Sequence, residues 1–148
     1  MKKFKFSLQA LLTVKEMELN NAEIAYAEFL KRCSAAKESF ESIKIEIDHL
    51  QSEVKSARTQ DFRAAFHHHF MLSQKQAFET LAQKKVAWER AEQDAQDRLK
   101  GFIQAKKAYD ALCQIRERKY SEYCREVLRK EESELEDIFN NRRSIIAV

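Results

Sequence analysis

The chain has 148 residues, about the length of one domain, and its 27 basic and 24 acidic side chains leave a net charge of +3. It contains no proline and a single glycine, so few turns can interrupt its secondary structure. Charged residues make up 34% of the sequence, which is typical of long helices and excludes a thick globular core. The balanced charge also argues against a nucleic-acid-binding protein, which usually has a one-sided basic face.

The sequence has few signals of cellular location. No apolar run approaches the roughly 20 residues of a membrane span, and the run from Leu8 to Leu12 is too short for a cleaved signal. Three widely spaced cysteines, Cys33, Cys113 and Cys124, form no CxxC motif. An odd number of such cysteines predicts reduced thiols in a cytoplasmic protein.

The first predicted element is a helix at about residues 8–58. Its apolar positions recur in alternating steps of four and three, which average the 3.5 residues of a left-handed coiled coil. Lys15 is the polar exception, and the outward positions are charged, with Glu28 and Arg32 at the spacing of a helical ion pair. The series consists of Leu8, Leu12, Lys15, Leu19, Ala22, Tyr26, Phe29, Cys33, Ala36, Phe40, Ile43, Ile47, Leu50, Val54 and Ala57.

A turn region is predicted at about residues 59–72, within which a short extra helical turn at about 61–70 is plausible. Thr59 and Asp61 are polar turn candidates, and Ser73 with Gln76 fits the capping box of a new helix. The region is unusually apolar, and its members are Phe62, Phe66, Phe70, Met71, Leu72 and Phe78. Two interpretations remain open, because the tip either folds back on itself or displays an apolar binding patch.

The histidine run from 67 to 69 lies in this turn region. Adjacent residues on a helix point about 100° apart, so three in a row do not ligate one ion from one face. No cysteine or carboxylate stands beside them at metal-ligand spacing. We therefore predict solvated histidines and no metal site.

The second predicted helix covers about residues 73–140. Its apolar series slips by one residue beside Gly101, and the slipped seam includes Lys106 and Arg116. Trp88 is predicted to pack into the core opposite small residues. The series consists of Ala77, Leu81, Lys84, Trp88, Ala91 and Ala95, and after the slip Leu99, Phe102, Tyr109, Cys113, Tyr120, Tyr123 and Val127.

Together these elements predict an all-α fold, a long antiparallel two-helix coiled-coil hairpin forming a single domain over residues 1–148. The C-terminal helix is the longer one, and its overhang at about 123–140 carries Val127, Leu128, Leu135, Ile138 and Phe139. An overhanging apolar stripe must dock on a second copy or on another protein. Glycine-rich phosphate loops, HExxH and nucleophile elbows do not occur, so we expect no enzyme and no cofactor.

The two ends of the chain resemble a known family, the FliJ/YscO-type proteins of flagellar and type III secretion export machinery. The opening FKFSLQALLTVKEMELNNAE is similar to the family's F-x-F-x-L-x-x-L-L-x-x-[KR]-x-x-E pattern. The positions that match are Phe4, Phe6, Leu8, Leu11, Leu12, Lys15 and Glu18. Near the C-terminus, Glu131, Leu135, Glu136 and Asp137 are similar to the family's closing E-x-x-x-L-[DE]-[DE].

The resemblance implies a bacterial, cytoplasmic, non-enzymatic stalk protein, placed at the inner face of the inner membrane. It implies that the paired chain ends bind a hexameric export ATPase, that the other end reaches the membrane export gate, and that export chaperones are further partners. The implied ATPase contacts are Phe4, Phe6, Leu8, Leu11, Leu12, Leu135, Ile138 and Phe139. The implied gate contacts are Phe66, Phe70 and Phe78.

Two alternatives stay open at this stage. One is a structural coiled-coil scaffold that dimerises through the C-terminal overhang. The other is a protein that binds nucleic acid or an anionic membrane through Lys2, Lys3, Lys5 and the basic groups near 116–130. The second alternative requires binding that weakens steeply with salt.

Overall fold

The computed structural model describes residues 3–60 and 63–146, and for Ile146 the backbone alone. It consists of helix α1, Gln9–Gln60 with 52 residues, and helix α2, Ala64–Ile146 with 83 residues. The two helices pack against each other, which confirms the predicted all-α hairpin with the longer C-terminal helix. The predictions for Lys2, Asp61, Phe62 and the final two residues lie outside the described residues.

The predicted turn region is wrong in extent. We expected a turn over residues 59–72 and a capping box at Ser73, but α2 begins at Ala64, so Ser73 lies inside the helix. The stretch from Ala64 to Leu72 has no proline or glycine and includes good helix formers such as alanine, leucine and methionine. Polar residues at Ser73 and Gln76 do not stop such a helix. The far end of α2 also extends six residues beyond the predicted 140.

The chain divides into two compact units. The first, here called the terminal unit, is Met1–Leu19 with Gln104–Val148. The second, here called the turn unit, is Asn20–Ile103. Each contains a stretch of α1 and a stretch of α2.

Large aromatic side chains join the helices of the turn unit. The ring centroids of Phe40 and Trp88 are 5.3 Å apart, and those of Tyr26 and Phe102 are 6.2 Å apart and nearly parallel. Both distances suit favourable aromatic pairs. In each pair the residue numbers add up to 128, so the two helices keep one antiparallel register through this unit. Trp88 therefore packs in the seam as predicted, but the residue opposite it is the large Phe40 and not a small residue.

Burial follows the predicted seam of α1. Leu8 is exposed, and every other member of that series is buried or half-buried. Lys15, the polar member of the seam, is half-buried and forms an ion pair in which its Nζ lies 2.8 Å from Oε2 of Glu18. The predicted pair on the outer face is also present, with Arg32 Nη2 at 2.6 Å from Oε1 of Glu28.

The slipped seam of α2 needs one correction. Lys106 and Arg116 were predicted on this seam, but both are exposed, and Ala105 and Leu112 are half-buried beside them. A buried charge without a partner costs several kcal/mol, so a helix turns such side chains to solvent when apolar neighbours can take their place. Among the described residues, neither helix contains a segment long and apolar enough to cross a membrane.

Candidate functional site

In the terminal unit, residues 3–8, here called the N-terminal segment, lie against α2. The ring of Phe4 meets Tyr120 edge-on at a centroid distance of 5.3 Å and Tyr123 at 5.6 Å. The two tyrosine rings are themselves stacked at 6.4 Å. Phe4 is half-buried as a result, so this first predicted site residue is partly occupied by contacts within the chain.

The backbone leads directly from this segment into α1. The Gln9 N–H donates to the Phe6 carbonyl at 3.1 Å, and the Leu12 N–H donates to the Leu8 carbonyl at 2.9 Å. Phe4 and Phe6 are half-buried, whereas Lys5 between them is exposed. This alternation is typical of an extended segment that has one face against the protein.

An open groove runs between the N-terminal segment and α2. Its apolar surface comes from Phe4, Phe6, Tyr123 and Val127. Its charged lining is balanced and consists of Lys3, Lys5, Lys119, Lys130, Glu122, Glu126, Glu131 and Glu134. The groove is open along its length, so it suits a protein segment better than an enclosed small molecule.

The neighbouring leucines of the opening motif separate into two environments. Leu12 is 4% exposed and lies in the core of the terminal unit, whereas Leu11 is 43% exposed. Val14 and Met17 extend the exposed apolar surface along α1 from Leu11. The apolar face is thus wider than a two-helix seam requires, and Leu11 rather than Leu12 presents the excess to solvent.

The predicted C-terminal site residues are on the surface. Leu135 is 59% exposed, Ile138 55% and Phe139 73%. Every residue from 128 to 145 is exposed, and none of the three lines the groove. The structure therefore does not bring Phe4 and Phe6 into contact with Leu135, Ile138 and Phe139. It places them at successive positions along the same unit.

Two tyrosines of the terminal unit have raised pKa values. The hydrogen bond of Tyr120 with the Cys124 thiol raises the pKa of Tyr120, and the negative charge that this cysteine carries when ionised acts in the same direction. The pKa of Tyr109 is raised mainly by its hydrogen bond with Cys113, and the Glu16 carboxylate adds to the effect. Both phenols are therefore neutral at physiological pH. The cysteines at 33, 113 and 124 are all free and half-buried.

The predicted gate residues lie on the first turns of α2. Phe66 is 57% exposed and Phe78 46%, and Phe70 is half-buried. Phe66 and Phe70 face Val54 and Ala57 of α1 across a small recess. Met71 and Leu72 are about half exposed. Phe70 thus packs back toward α1, whereas Phe66, Met71, Leu72 and Phe78 remain exposed, and the binding role of this surface stays a prediction.

The histidine run is part of α2. His68 and His69 are exposed, and the half-buried His67 donates its backbone N–H to the Arg63 carbonyl at 3.1 Å. Across residues 3–60 and 63–146, histidine, cysteine, aspartate and glutamate form no group of three that could hold a metal ion.

Sequence reasoning missed the role of Tyr120 and Tyr123. Both were assigned to the helix seam, and instead they form the surface on which Phe4 rests. Their i, i+3 spacing ahead of Val127 is a signal for an apolar strip, but it does not say which segment covers it. The charged walls of the groove were likewise assigned only to a solvated face.

No protein-family model, curated protein or solved structure matches this chain.

Proposed function

We propose that this protein is a non-enzymatic central-stalk component of a bacterial flagellar or type III export apparatus. In this role its terminal unit binds a hexameric export ATPase and promotes its activity or assembly, and the start of α2 contacts the export gate. The protein is cytoplasmic and peripheral to the membrane, and export chaperones are further partners. The resemblance of both chain ends to the FliJ/YscO-type proteins motivates this proposal.

The observation that carries the proposal is the exposed apolar surface of the terminal unit. Leu11, Leu135, Ile138 and Phe139 are all at least 43% exposed, and the last three lie on a stretch of α2 that is exposed throughout. A helix with an apolar stripe and no tertiary contact gains little stability by itself, since helical stability in proteins comes mainly from packing. Such a surface is typical of a protein-binding site.

Leu12 has a different role in this proposal. Because only 4% of it is exposed, it does not touch a partner directly. It instead holds the start of α1 against α2 and so positions Leu8 and Leu11 at the surface. The contact residues at the ATPase are then Phe4, Phe6, Leu8, Leu11, Leu135, Ile138 and Phe139.

The ATPase contact is tested by adding the purified protein to its cognate export ATPase and measuring hydrolysis rate and oligomeric state. We expect the wild-type protein to raise the rate or the hexamer fraction, and the double variant Leu135→Glu, Phe139→Glu to lose the effect. The matched control is Ile45→Glu, because Ile45 is 69% exposed and lies in the turn unit. The proposal fails if the wild-type protein changes neither quantity.

The gate contact needs a separate test, since it uses other residues. Phe66→Glu combined with Phe78→Glu should weaken binding to the cytoplasmic part of the gate protein and leave ATPase stimulation intact. Ile24→Glu serves as control, because Ile24 is 66% exposed on α1. Equal gate binding by the double variant and the wild type would remove this half of the proposal.

A further inference from the structure

The exposed stretch of α2 from Leu128 to Arg142 contains a second seam, distinct from the one that packs on α1. Its members are spaced by four, three, four and three residues, the repeat of a coiled coil. They are Leu128, Glu132, Leu135, Phe139 and Arg142. All five are exposed.

This second seam is offset from the intramolecular one. Val127, which is half-buried, belongs to the seam that faces the N-terminal segment, and Leu128 immediately after it begins the exposed seam. Adjacent helical residues point about 100° apart, so the two seams lie on different faces of α2. Covering the exposed seam therefore does not displace Phe4 or Phe6.

The two charged members of the seam, Glu132 and Arg142, are exposed and form no ion pair within residues 3–60 and 63–145. A polar residue at a seam position of a coiled coil specifies register and orientation. The charges at these two positions therefore indicate which helix, in which orientation, can pack on the seam.

The pattern is complementary to itself when reversed. In an antiparallel pair centred on position 137, Leu135 of one chain meets Phe139 of the other, and Glu132 meets Arg142. In a parallel pair, Glu132 would face Glu132 and Arg142 would face Arg142, and like-charge contacts of this kind disfavour association. The sequence thus selects one orientation.

We propose that a second copy of this chain occupies this seam, in an antiparallel two-helix contact with two-fold symmetry. The symmetry places the same surface of both copies in the interface, so the ion pair between Glu132 of one copy and Arg142 of the other forms twice. The contact involves about fifteen residues of α2 from each copy, so the dimer is weak and forms at high protein concentration.

The inference stands independently of the export proposal. If both hold, they share Leu135 and Phe139, and self-association then excludes the ATPase from this surface. That consequence alone rests on the proposed function. Self-association is measured on the purified protein with no ATPase present, so the two ideas fail separately.

The test uses charge reversal and analytical ultracentrifugation of the full chain. Glu132→Arg and Arg142→Glu should each weaken dimerisation by at least tenfold, since each creates two like-charge contacts, and a tenfold change corresponds to about 1.4 kcal/mol. Mixing the two variants should restore a dimer, because the opposite charges then face each other. The control is Asp137→Arg, which makes the same change of charge on the face away from the seam.

Orientation is checked by crosslinking in a background in which Cys33, Cys113 and Cys124 are replaced by alanine. A mixture of chains carrying Leu135→Cys and chains carrying Phe139→Cys should form a disulfide between the two different variants. Disulfides between identical variants would show a parallel contact and overturn the proposal. A wild-type protein that stays monomeric at the highest concentrations that ultracentrifugation can measure, or variants that fail to recover on mixing, would overturn it as well.

Discussion

The turn unit and the terminal unit are built from the same two helices but bury their apolar side chains to different degrees. In the turn unit Phe40, Ile47 and Ala95 are buried, and large rings meet across the seam. In the terminal unit Leu12, at 4% exposure, is the one buried residue among those described. The contrast arises because α2 extends beyond the residues that α1 can cover, so its apolar side chains from Leu128 onward stay exposed.

The largest expected effect contrasts two phenylalanines. Phe40→Ala should lower the free energy of unfolding by about 3 kcal/mol, because it removes a side chain that is 7% exposed and packs against the ring of Trp88. Phe139→Ala, at a position that is 73% exposed, should change it by less than about 0.5 kcal/mol. Urea unfolding followed by circular dichroism gives both values. Similar losses for the two variants would mean that Phe139 is covered in solution.

A second contrast lies within one turn of α1. Leu12→Ala should cost about 2 to 3 kcal/mol and Leu11→Ala less than about 1 kcal/mol, although both remove the same atoms from a leucine in a helix. The reason is burial, since Leu12 is 4% and Leu11 43% exposed. The same unfolding measurement applies. If Leu11→Ala costs more than Leu12→Ala, the start of α1 turns Leu11 and not Leu12 toward α2 in solution.

A smaller gain is expected at Gly101. A Cβ built there has no atom within 4 Å, and the residue lies inside α2. Gly101→Ala should therefore raise the free energy of unfolding by about 1 kcal/mol, the difference in helix propensity between the two residues. A loss of stability in thermal or urea unfolding would show that the chain needs a glycine beside the slip of register.

The smallest effect concerns the titration of Tyr120. Its pKa is raised by the hydrogen bond with Cys124, so Cys124→Ala should bring the pKa back toward 10. The folded-state pKa lies above that of the unfolded chain, so the contribution to stability is present below pH 10 and is lost as the pH rises through the folded value. Ultraviolet titration of the phenolate, with Tyr120→Phe subtracted, measures the shift. No shift on removal of the thiol would exclude Cys124 as the cause.

Much of the fold could be predicted from the periodic spacing of apolar residues. The four-three series from Leu8 to Ala57 predicted α1, its partner and its buried face, and the spacing of Glu28 and Arg32 predicted their ion pair. These features follow from interactions within one helix or from a regular repeat. The start of α2 was not predicted, because the polar residues near Ser73 resemble a helix cap and only the continuing backbone shows that they are not one.

The candidate site could be predicted from the sequence only in part. The apolar residues at Leu135, Ile138 and Phe139 could be predicted to lie on an overhang, since no segment of the first helix remains to face them. The four-three series placed Leu12 and not Leu11 on the buried face, as observed, but it also placed Leu8 there. The exposure of Leu8 could not be assigned, because it depends on how the start of α1 is rotated against α2. The fate of Lys106 and Arg116 was missed for the same reason.

A pair of long helices could be predicted from the amino-acid sequence alone, because a repeat of 3.5 residues sustained without proline is compatible with few other folds. Which apolar residues are buried by contacts within the molecule became clear from the tertiary structure and not from the sequence. Phe4 lies on Tyr120 and Tyr123, whereas the stripe from Leu128 onward contacts no other part of the described chain closely enough to be covered. The physical reason is that burial depends on where another segment lies, and no local pattern contains that information.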